Sequence, residues 1–175
     1  MTDAELVGLT RTGSDIAFTR LVERHQAALR GFLRRTLGGG WAEADDVAQE
    51  AILTAWRSLY RLKDATGFRS WLLGIAWRKA QDRIRSARRG AARDADWLGT
   101  VDAPSGVSLT DRLALAGAMA DLPPDVRACV ALCLADGWSH AEASLALSLP
   151  IGTVKSHIAR GRARLFEALG GLDDA

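Results

Sequence analysis

Apolar residues recur every three or four positions along most of the chain, and no segment alternates regularly between apolar and polar residues. This spacing is typical of amphipathic helices rather than of strands, so we predict an all-α fold. In the first half it predicts a helix capped by Ser14, a second helix over residues 42–62 and a long helix that starts near Phe68. Glycines at 38–40 and a polar break at 63–67 separate these helices.

The same spacing continues in the second half of the chain. Residues 109–119 predict one helix, and the proline pair at 123–124 begins another, because proline is tolerated in the first helical turn. The helix over residues 42–62 is expected to bury Val47, Ala48, Ala51, Ala55, Trp56 and Leu59. The helix after the prolines is expected to bury Val126, Cys129, Val130, Cys133 and Leu134.

Residues 87–110 lose the helical spacing and collect Gly, Pro, Ser and Asp, which is typical of a linker. We therefore predict two small helical domains, at residues 10–93 and 108–170, joined by a flexible linker at 94–107. A domain of about 60 residues buries only about 60% of its unfolded surface. The second domain is accordingly expected to lean on a partner or on the first domain.

The end of the chain has the pattern of a helix-turn-helix. Ser139 and Glu142 form a capping box, in which each side chain bonds a free backbone N–H at a helix start. A short helix, a turn at 148–150 and a longer basic helix follow, and in such motifs the second helix lies in the DNA major groove. Its apolar side is predicted at Ile151, Val154, Ile158 and Leu165. The polar side chains left for phosphates or base edges are Thr153, Lys155, Ser156, His157 and Arg160. An αα-hairpin with a solvated basic helix is the alternative.

Positive charge is concentrated in one block of a nearly neutral chain. The 175 residues carry a formal net charge of +2, yet residues 61–93 hold ten Lys or Arg and only two Asp or Glu. Such segregation suits a polyanion-binding protein, because phosphate contacts supply most non-specific affinity for nucleic acids. For the basic block alone, a solvated helix face is the alternative.

Composition argues against a membrane protein. The longest unbroken apolar run, residues 128–135, has eight residues, whereas a membrane-spanning helix needs roughly 18. The first residues show no signal-peptide pattern, and two cysteines are typical of a chain in a reduced compartment. We therefore expect a cytoplasmic protein without membrane insertion.

No catalytic, cofactor or metal site is predicted. Cys129 and Cys133 lie one turn apart and could bind zinc with His140 or His157, yet both fall on an apolar stripe where small thiols are ordinary core residues. The carboxylates between residues 45 and 50 have no nearby His or Lys for acid–base work. An enzyme is therefore the weaker function class.

Two segments resemble conserved regions of one protein family. Residues 137–165, which contain the helix-turn-helix, resemble the fourth conserved region of the sigma-70 family of RNA polymerase sigma factors, in its extracytoplasmic-function (group 4) branch. Residues 44–56 resemble the second conserved region, and residues 68–85 resemble its promoter-reading helix. The resemblance extends over about residues 10–170, in the order of the family, with the linker between.

The resemblance implies that the chain binds core RNA polymerase, through the β′ clamp helices and the β flap. The implied polymerase-binding residues are Asp45, Asp46, Gln49, Glu50 and Arg57. Four of them, from Asp46 to Arg57, share one flank of a helix. For Asp45 and Asp46 alone, a helix start enriched in carboxylates is the alternative.

The resemblance also implies contacts with two promoter DNA elements. The loop Leu62–Thr66 and the helix Phe68–Arg89 would open and read the minus-ten element, with unstacked bases held in the loop. The implied minus-ten residues are Lys63, Asp64, Arg69, Arg78, Lys79, Arg83, Arg85, Arg88 and Arg89. The implied minus-thirty-five residues are Pro150, Gly152, Thr153, Lys155, Ser156, His157, Arg160 and Arg164.

Members of this branch are usually held inactive by an anti-sigma protein, so such a partner is implied as well. Some positions depart from the usual pattern: Arg78 stands where Asn is frequent, Ser148 takes a turn position where Gly is common, and Leu145 is an apolar residue expected on the surface. The alternative function is a conventional helix-turn-helix regulator that binds operator DNA without acting as a polymerase subunit. That alternative predicts specific duplex binding by the free protein.

Overall fold

The computed structural model describes residues 1–38, 40–90 and 108–170, and this part of the chain folds into eight α-helices with no strand. The helices are α1 (Asp3–Arg11), α2 (Asp15–Thr36), α3 (Gly40–Ser58), α4 (Phe68–Gly90), α5 (Leu109–Ala120), α6 (Pro124–Val130), α7 (His140–Leu147) and α8 (Ile151–Gly170). Short 3₁₀ turns at Leu59–Arg61 and Ala65–Gly67 connect α3 to α4, and a π turn at Ala131–Ala135 extends α6. The all-α prediction is confirmed. The predicted linker at 94–107 lies outside the described residues.

Helix α1 lies before the first predicted helix, which begins after Ser14. Its start is fixed by a capping box: the Thr2 N–H donates to Glu5 at 2.6 Å, and the Glu5 N–H donates to the Thr2 hydroxyl at 3.2 Å. Leu6 and Val7 are buried against the rest of the first half. The Thr2-to-Glu5 spacing was the signal that could have revealed this helix.

Two predicted helix starts are confirmed by side-chain capping. The Ser14 hydroxyl accepts from the Ala17 N–H at 3.3 Å. At the start of α7 the Glu142 N–H donates to the Ser139 hydroxyl at 3.2 Å, and the Ser139 N–H donates to the Glu142 carboxylate at 2.8 Å. Each cap satisfies backbone donors that the first helical turn leaves free.

Three residues predicted to be buried are exposed instead. Trp56 is 41% exposed and only touches the core with its edge, at 4.7 Å between its ring centroid and that of Phe18. Leu134 is 41% exposed, because it lies in the π turn, whose wider winding shifts side chains away from the 3.6-residue register. Ile151 is 45% exposed, because it is the first residue of α8 and precedes the buried part of that helix.

The two halves of the chain pack on each other, and their buried side chains form one contiguous cluster. Arg127 crosses from α6 to donate to the Thr36 carbonyl at 3.0 Å. Where α4 meets α7, the approach is so close that a Cβ on Gly74 would lie 3.0 Å from the Ala146 carbonyl oxygen. The small second half therefore completes its core against the first, as its size leads one to expect.

Candidate nucleic-acid and polymerase interfaces

The predicted helix-turn-helix consists of α7, a left-handed turn and α8. Ser148 ends α7 with φ of 55°, a backbone conformation that costs a non-glycine residue free energy. Its neighbours support the turn, since the Leu149 N–H donates to the Ser144 carbonyl at 3.2 Å and the Ser144 hydroxyl donates to the Leu149 carbonyl at 2.5 Å. These bonds set the direction in which α8 leaves the turn.

Helix α8 separates a buried side from a basic side. Val154, Ile158 and Gly161 are buried, and α8 packs there on α6. The predicted minus-thirty-five residues on the open side are Pro150, Gly152, Lys155, Ser156, Arg160 and Arg164, all of which are exposed. Thr153 and His157 are only partly exposed, and Nδ1 of His157 is buried without a hydrogen-bond partner among the described residues.

Gly161 is a structural residue that sequence reasoning missed. A Cβ at this position would lie 2.4 Å from Cγ2 of Val130 and 3.1 Å from Cγ1 of Val126. Helices α6 and α8 can therefore approach as they do only if residue 161 lacks a side chain. A glycine in the interior of a predicted helix is the signal that could have found it, because glycine there costs about 1 kcal/mol and needs a reason.

A second basic surface lies on α4 and the loop before it. Of the predicted minus-ten residues there, Lys63, Asp64, Arg78, Arg85, Arg88 and Arg89 are exposed, and Lys79 and Arg83 are half-buried. Within the loop the Asp64 carboxylate accepts from the Thr66 hydroxyl at 2.7 Å and from the Thr66 N–H at 2.9 Å. The hydroxyl bond, followed by the N–H bond, lowers the pKa of Asp64, which favours its ionised form.

Arg69 is not on this open basic surface. Its guanidinium carbon lies 4.0 Å from the ring centroid of Trp138, and Nη1 lies 3.9 Å from a carboxylate oxygen of Glu142. Trp138 and Glu142 both belong to the second half of the chain. The structure therefore places Arg69 at the contact between the halves, apart from the other predicted minus-ten residues.

The predicted polymerase-binding residues lie along α3, and Asp46, Gln49, Glu50 and Arg57 are exposed there. Asp45 differs, because it pairs with Arg30 at 3.5 Å and with Arg34 at 3.4 Å, both on α2. Glu50 pairs with Arg83 of α4 at 2.6 Å, in a contact whose side chains are 46% and 40% exposed. This pair joins the acidic surface of α3 to the basic surface of α4.

The contact between the halves also contains a half-buried ion pair. Nη1 of Arg35 lies 2.9 Å and 3.0 Å from the two carboxylate oxygens of Asp136. Burial raises the pKa of Asp136, and the neighbouring Arg35 opposes that shift. This pair was not predicted, because its partners are 101 residues apart in sequence.

The two cysteines sit where thiols are unreactive. Cys129 is buried, and burial, followed by the proximity of Cys133 and Asp125, raises its pKa to about 12. Burial also raises the pKa of Cys133. Thiolates are the metal-binding and nucleophilic form of cysteine, so both side chains are poorly suited to either role at neutral pH. Over the described ranges, three or more His, Cys, Asp or Glu side chains nowhere group as a metal site would require.

Comparison with known proteins places both halves of the chain. Residues 21–90 match the family model Sigma-70 region 2, and residues 112–165 match the model Sigma-70, region 4. The chain is 33% identical to RNA polymerase sigma factor CarQ of Myxococcus xanthus, over 93% of this chain and 95% of that protein. It is 30% identical to the ECF RNA polymerase sigma-E factor of Escherichia coli strain K12, over 93% and 91%.

A solved structure shares the fold over most of both chains. The sigma factor RpoE of Bartonella quintana, in complex with the anti-sigma factor NepR, aligns with a TM-score of 0.73 and 26% identity. The alignment covers 87% of this chain and 96% of that one. Of the helices described here, none has the length and apolarity required to cross a bilayer.

Proposed function

The chain belongs to the sigma-70 family, in its extracytoplasmic-function branch, and we propose that it directs core RNA polymerase to promoters with their own minus-ten and minus-thirty-five elements. One observation carries this proposal. The two matched regions stand in the family's order, and each presents an exposed basic helix, α4 in the first region and α8 in the second. A sigma factor needs both surfaces, because each promoter element is contacted by a different region.

The polymerase-binding surface of the proposal is the exposed flank of α3. Gln49 and Glu50 are the central residues, with Asp46 and Arg57 on either side, and the β′ clamp helices are the expected partner. Asp45 contributes less directly, because its carboxylate is already held by two arginines of α2. The second half is expected to meet the β flap.

The DNA-binding surfaces are the basic sides of α4 and α8. On α4, exposed arginines are placed to follow the phosphates of the opened minus-ten element, while the loop at residues 63–66 receives unstacked bases. On α8, the exposed first turns carry Gly152, Lys155 and Ser156 toward the major groove of the minus-thirty-five element. The partly buried His157 can reach a base edge only with the outer part of its ring.

The spacing of the two elements requires the halves to separate. The names of the elements place them about 25 base pairs apart, or about 85 Å along B-DNA at about 3.4 Å per base pair. A compact chain of 175 residues has a radius of gyration of only about 16 Å. The packed arrangement, with Arg69 against Trp138, is therefore too compact for both elements at once, and promoter binding must open it.

An anti-sigma factor and a cytoplasmic location complete the proposal. The related RpoE was solved with an anti-sigma factor bound, which supports a partner of that kind here. Sigma factors act with RNA polymerase, so the chain is expected in the cytoplasm, where that enzyme works.

Transcription in vitro tests the proposal. Core polymerase is mixed with the protein and a template library randomised at both elements, and the transcripts are sequenced. We expect a restricted set of templates to be transcribed, with one selected motif in each window. Output equal to that of core polymerase alone would contradict the proposal, and specific duplex binding by the free protein would favour a conventional regulator.

A variant pair tests the α3 surface. Gln49→Ala combined with Glu50→Lys should abolish competition for core polymerase, while the melting temperature falls by no more than about 2–4 °C, because the exposed Glu50–Arg83 pair that it breaks contributes about 1 kcal/mol or less. Glu23→Lys is the matched control, since Glu23 is exposed on α2 and forms no ion pair in the described part of the chain. Normal assembly of the double variant would remove Gln49 and Glu50 from the polymerase-binding surface.

A further inference from the structure

Arg11 connects the N-terminal helix to the segment that precedes the minus-ten loop. It is the last residue of α1, and its guanidinium donates to the carbonyl oxygens of Leu59 and Leu62, the first at 3.4 Å. These carbonyls flank the 3₁₀ turn that ends α3, and residues 63–66 follow at once. A side chain from 48 residues away therefore holds the start of the loop.

The bonds from Arg11 are of a kind that fixes backbone position. A charged donor to a carbonyl makes a stronger hydrogen bond than a neutral donor does. Both bonds are donated by one nitrogen, Nη2, which the rigid guanidinium holds in place, whereas a lysine ammonium sits on a flexible stem. Further along, Asp64 holds the loop through its two bonds to Thr66. The loop is thus fixed at its entrance by Arg11 and internally by Asp64.

Helix α1 is itself anchored, so that Arg11 has a firm base. Its buried Leu6 and Val7 pack into the core of the first half. At its other end Asp3 pairs with His25 of α2 at 2.7 Å and also with Arg24. The region 2 match begins only at residue 21, so α1 supports the loop from outside the matched segment.

We propose that Arg11 is a positioning residue for minus-ten recognition: it keeps the loop at residues 63–66 in the shape that receives unstacked bases, without contacting DNA itself. This inference rests on the proposed function of the loop. It differs from a phosphate contact by Arg11, which would raise affinity for all sequences alike and would be preserved by any cation at this position.

The test uses full-length protein in holoenzyme on the template library randomised at both elements. Arg11→Ala should weaken motif selection in the minus-ten window about tenfold, since hydrogen bonds from a charged group are lost. Arg11→Lys should also weaken selection there, because the flexible lysine stem holds its ammonium less firmly against the two carbonyls than the rigid guanidinium holds Nη2. Selection in the minus-thirty-five window and competition for core polymerase should stay as in the wild type, while the melting temperature falls by about 3–6 °C because two carbonyls of buried residues lose their donor.

Arg20→Ala is the matched control, because Arg20 is an exposed arginine of the same half that makes no hydrogen bond or ion pair among the described residues. It should leave both windows unchanged. Unaltered minus-ten selection by Arg11→Ala would overturn the proposal. A second pair of results would also overturn it: Arg11→Lys restores selection fully, and Arg11→Ala lowers the salt dependence of holoenzyme binding by a slope of about 1. Together these results indicate a phosphate contact. Equal loss of selection in both windows would overturn it too, because that result indicates a general structural role.

Failure of the proposed function has a different signature. A wild-type holoenzyme that selects no motif in the minus-ten window would contradict the function of the loop before any variant is compared. Only when the wild type selects a motif do the Arg11 variants decide the positioning role.

Discussion

Gly161→Ala tests the close approach of α6 and α8, the second of which carries the proposed minus-thirty-five surface. The added Cβ would lie 2.4 Å from Cγ2 of Val130, whereas carbon atoms pack best at about 3.5–4.0 Å. Val130 cannot swing aside, because it is 4% exposed and a β-branched side chain is stiff at χ1. Helices α6 and α8 must therefore move apart by about 1 Å.

The expected loss of stability follows from two opposed terms. Overpacking of a filled core costs about 1–3 kcal/mol, and this severe overlap belongs at the upper end. Alanine is better than glycine inside a helix by about 1 kcal/mol. The net destabilisation is then about 2 kcal/mol, which lowers the melting temperature by about 4–8 °C in a chain of this size.

Thermal denaturation followed by circular dichroism measures this effect, and Gly117→Ala is the matched control. Gly117 is exposed in the interior of α5, and a Cβ there meets nothing within 4 Å. That substitution should therefore raise the melting temperature by about 2–4 °C. If Gly161→Ala were as stable as Gly117→Ala, the argument from close helix approach would be wrong.

A double variant identifies the atoms responsible. Val130→Ala removes Cγ2, so the Cβ added at position 161 would then face the Cβ of residue 130 at 3.8 Å, an ordinary contact. The double variant should be about 1–2 kcal/mol more stable than the sum of the stability losses of the two single variants predicts. Strict additivity would show that the clash with Val130 is not the cause.

Three further predictions rest on other local features. Arg127→Ala should lower the melting temperature in a thermal scan by about 6–12 °C. The carbonyls of Thr36, Ala120 and Leu122 lose a buried donor, and the three bonds together contribute about 3 kcal/mol. An unchanged melting temperature would show that water replaces the guanidinium at these carbonyls. Ser148→Gly should stabilise the chain by about 0.5–1 kcal/mol in urea denaturation, because glycine adopts φ of 55° without a steric penalty; destabilisation would point to a role for the hydroxyl. Folding raises the pKa of the Cys129 thiol from 9.0 to about 12, so with rising pH the thiol ionises in the unfolded chain before it does in the folded one. The free energy of unfolding therefore falls as pH rises above about 9, by up to about 1.4 kcal/mol per pH unit. Cys129→Ala should therefore lose less stability between pH 8 and pH 10 than the wild type in paired urea titrations, and equal losses would contradict the assignment.

Local signals account for the parts of the fold that the sequence predicted. The capping box at Ser139 and the turn at Ser148 lie within a few residues of their partners, so residue type and spacing suffice to place α7 and the start of α8. The same holds for the cap at Ser14. Periodicity failed at Leu134, because it assumes 3.6 residues per turn and the chain there winds as a π turn.

Long-range contacts account for what the sequence left out. Arg35 and Arg69 find their partners in the other half of the chain, 101 residues away for Arg35 and 69 or more for Arg69, and Arg127 finds one of its partners, Thr36, there too. A basic residue on a helix is compatible with a solvated face, a phosphate contact or an ion pair, and its neighbours in sequence do not discriminate between them. For Arg69 the sequence favoured DNA, and the packed structure places it against Trp138.

The placement of the arginines allows the halves to separate while each half keeps its shape. Helix α8 is held to its own half by the fit of Gly161 against Val130, which only a rearranged core could replace. By contrast, Arg69 faces a carboxylate across a contact that is 41% and 46% exposed, and ion pairs of this kind contribute about 1 kcal/mol or less. Arg127 keeps its bonds to Ala120 and Leu122 within the second half, so separation costs it only the bond to Thr36. Opening on promoter DNA therefore exchanges these arginine contacts for water and phosphate and also exposes the packed contact of α4 with α7, a cost that polymerase and DNA binding must offset, while the surface of α8 stays fixed on its core.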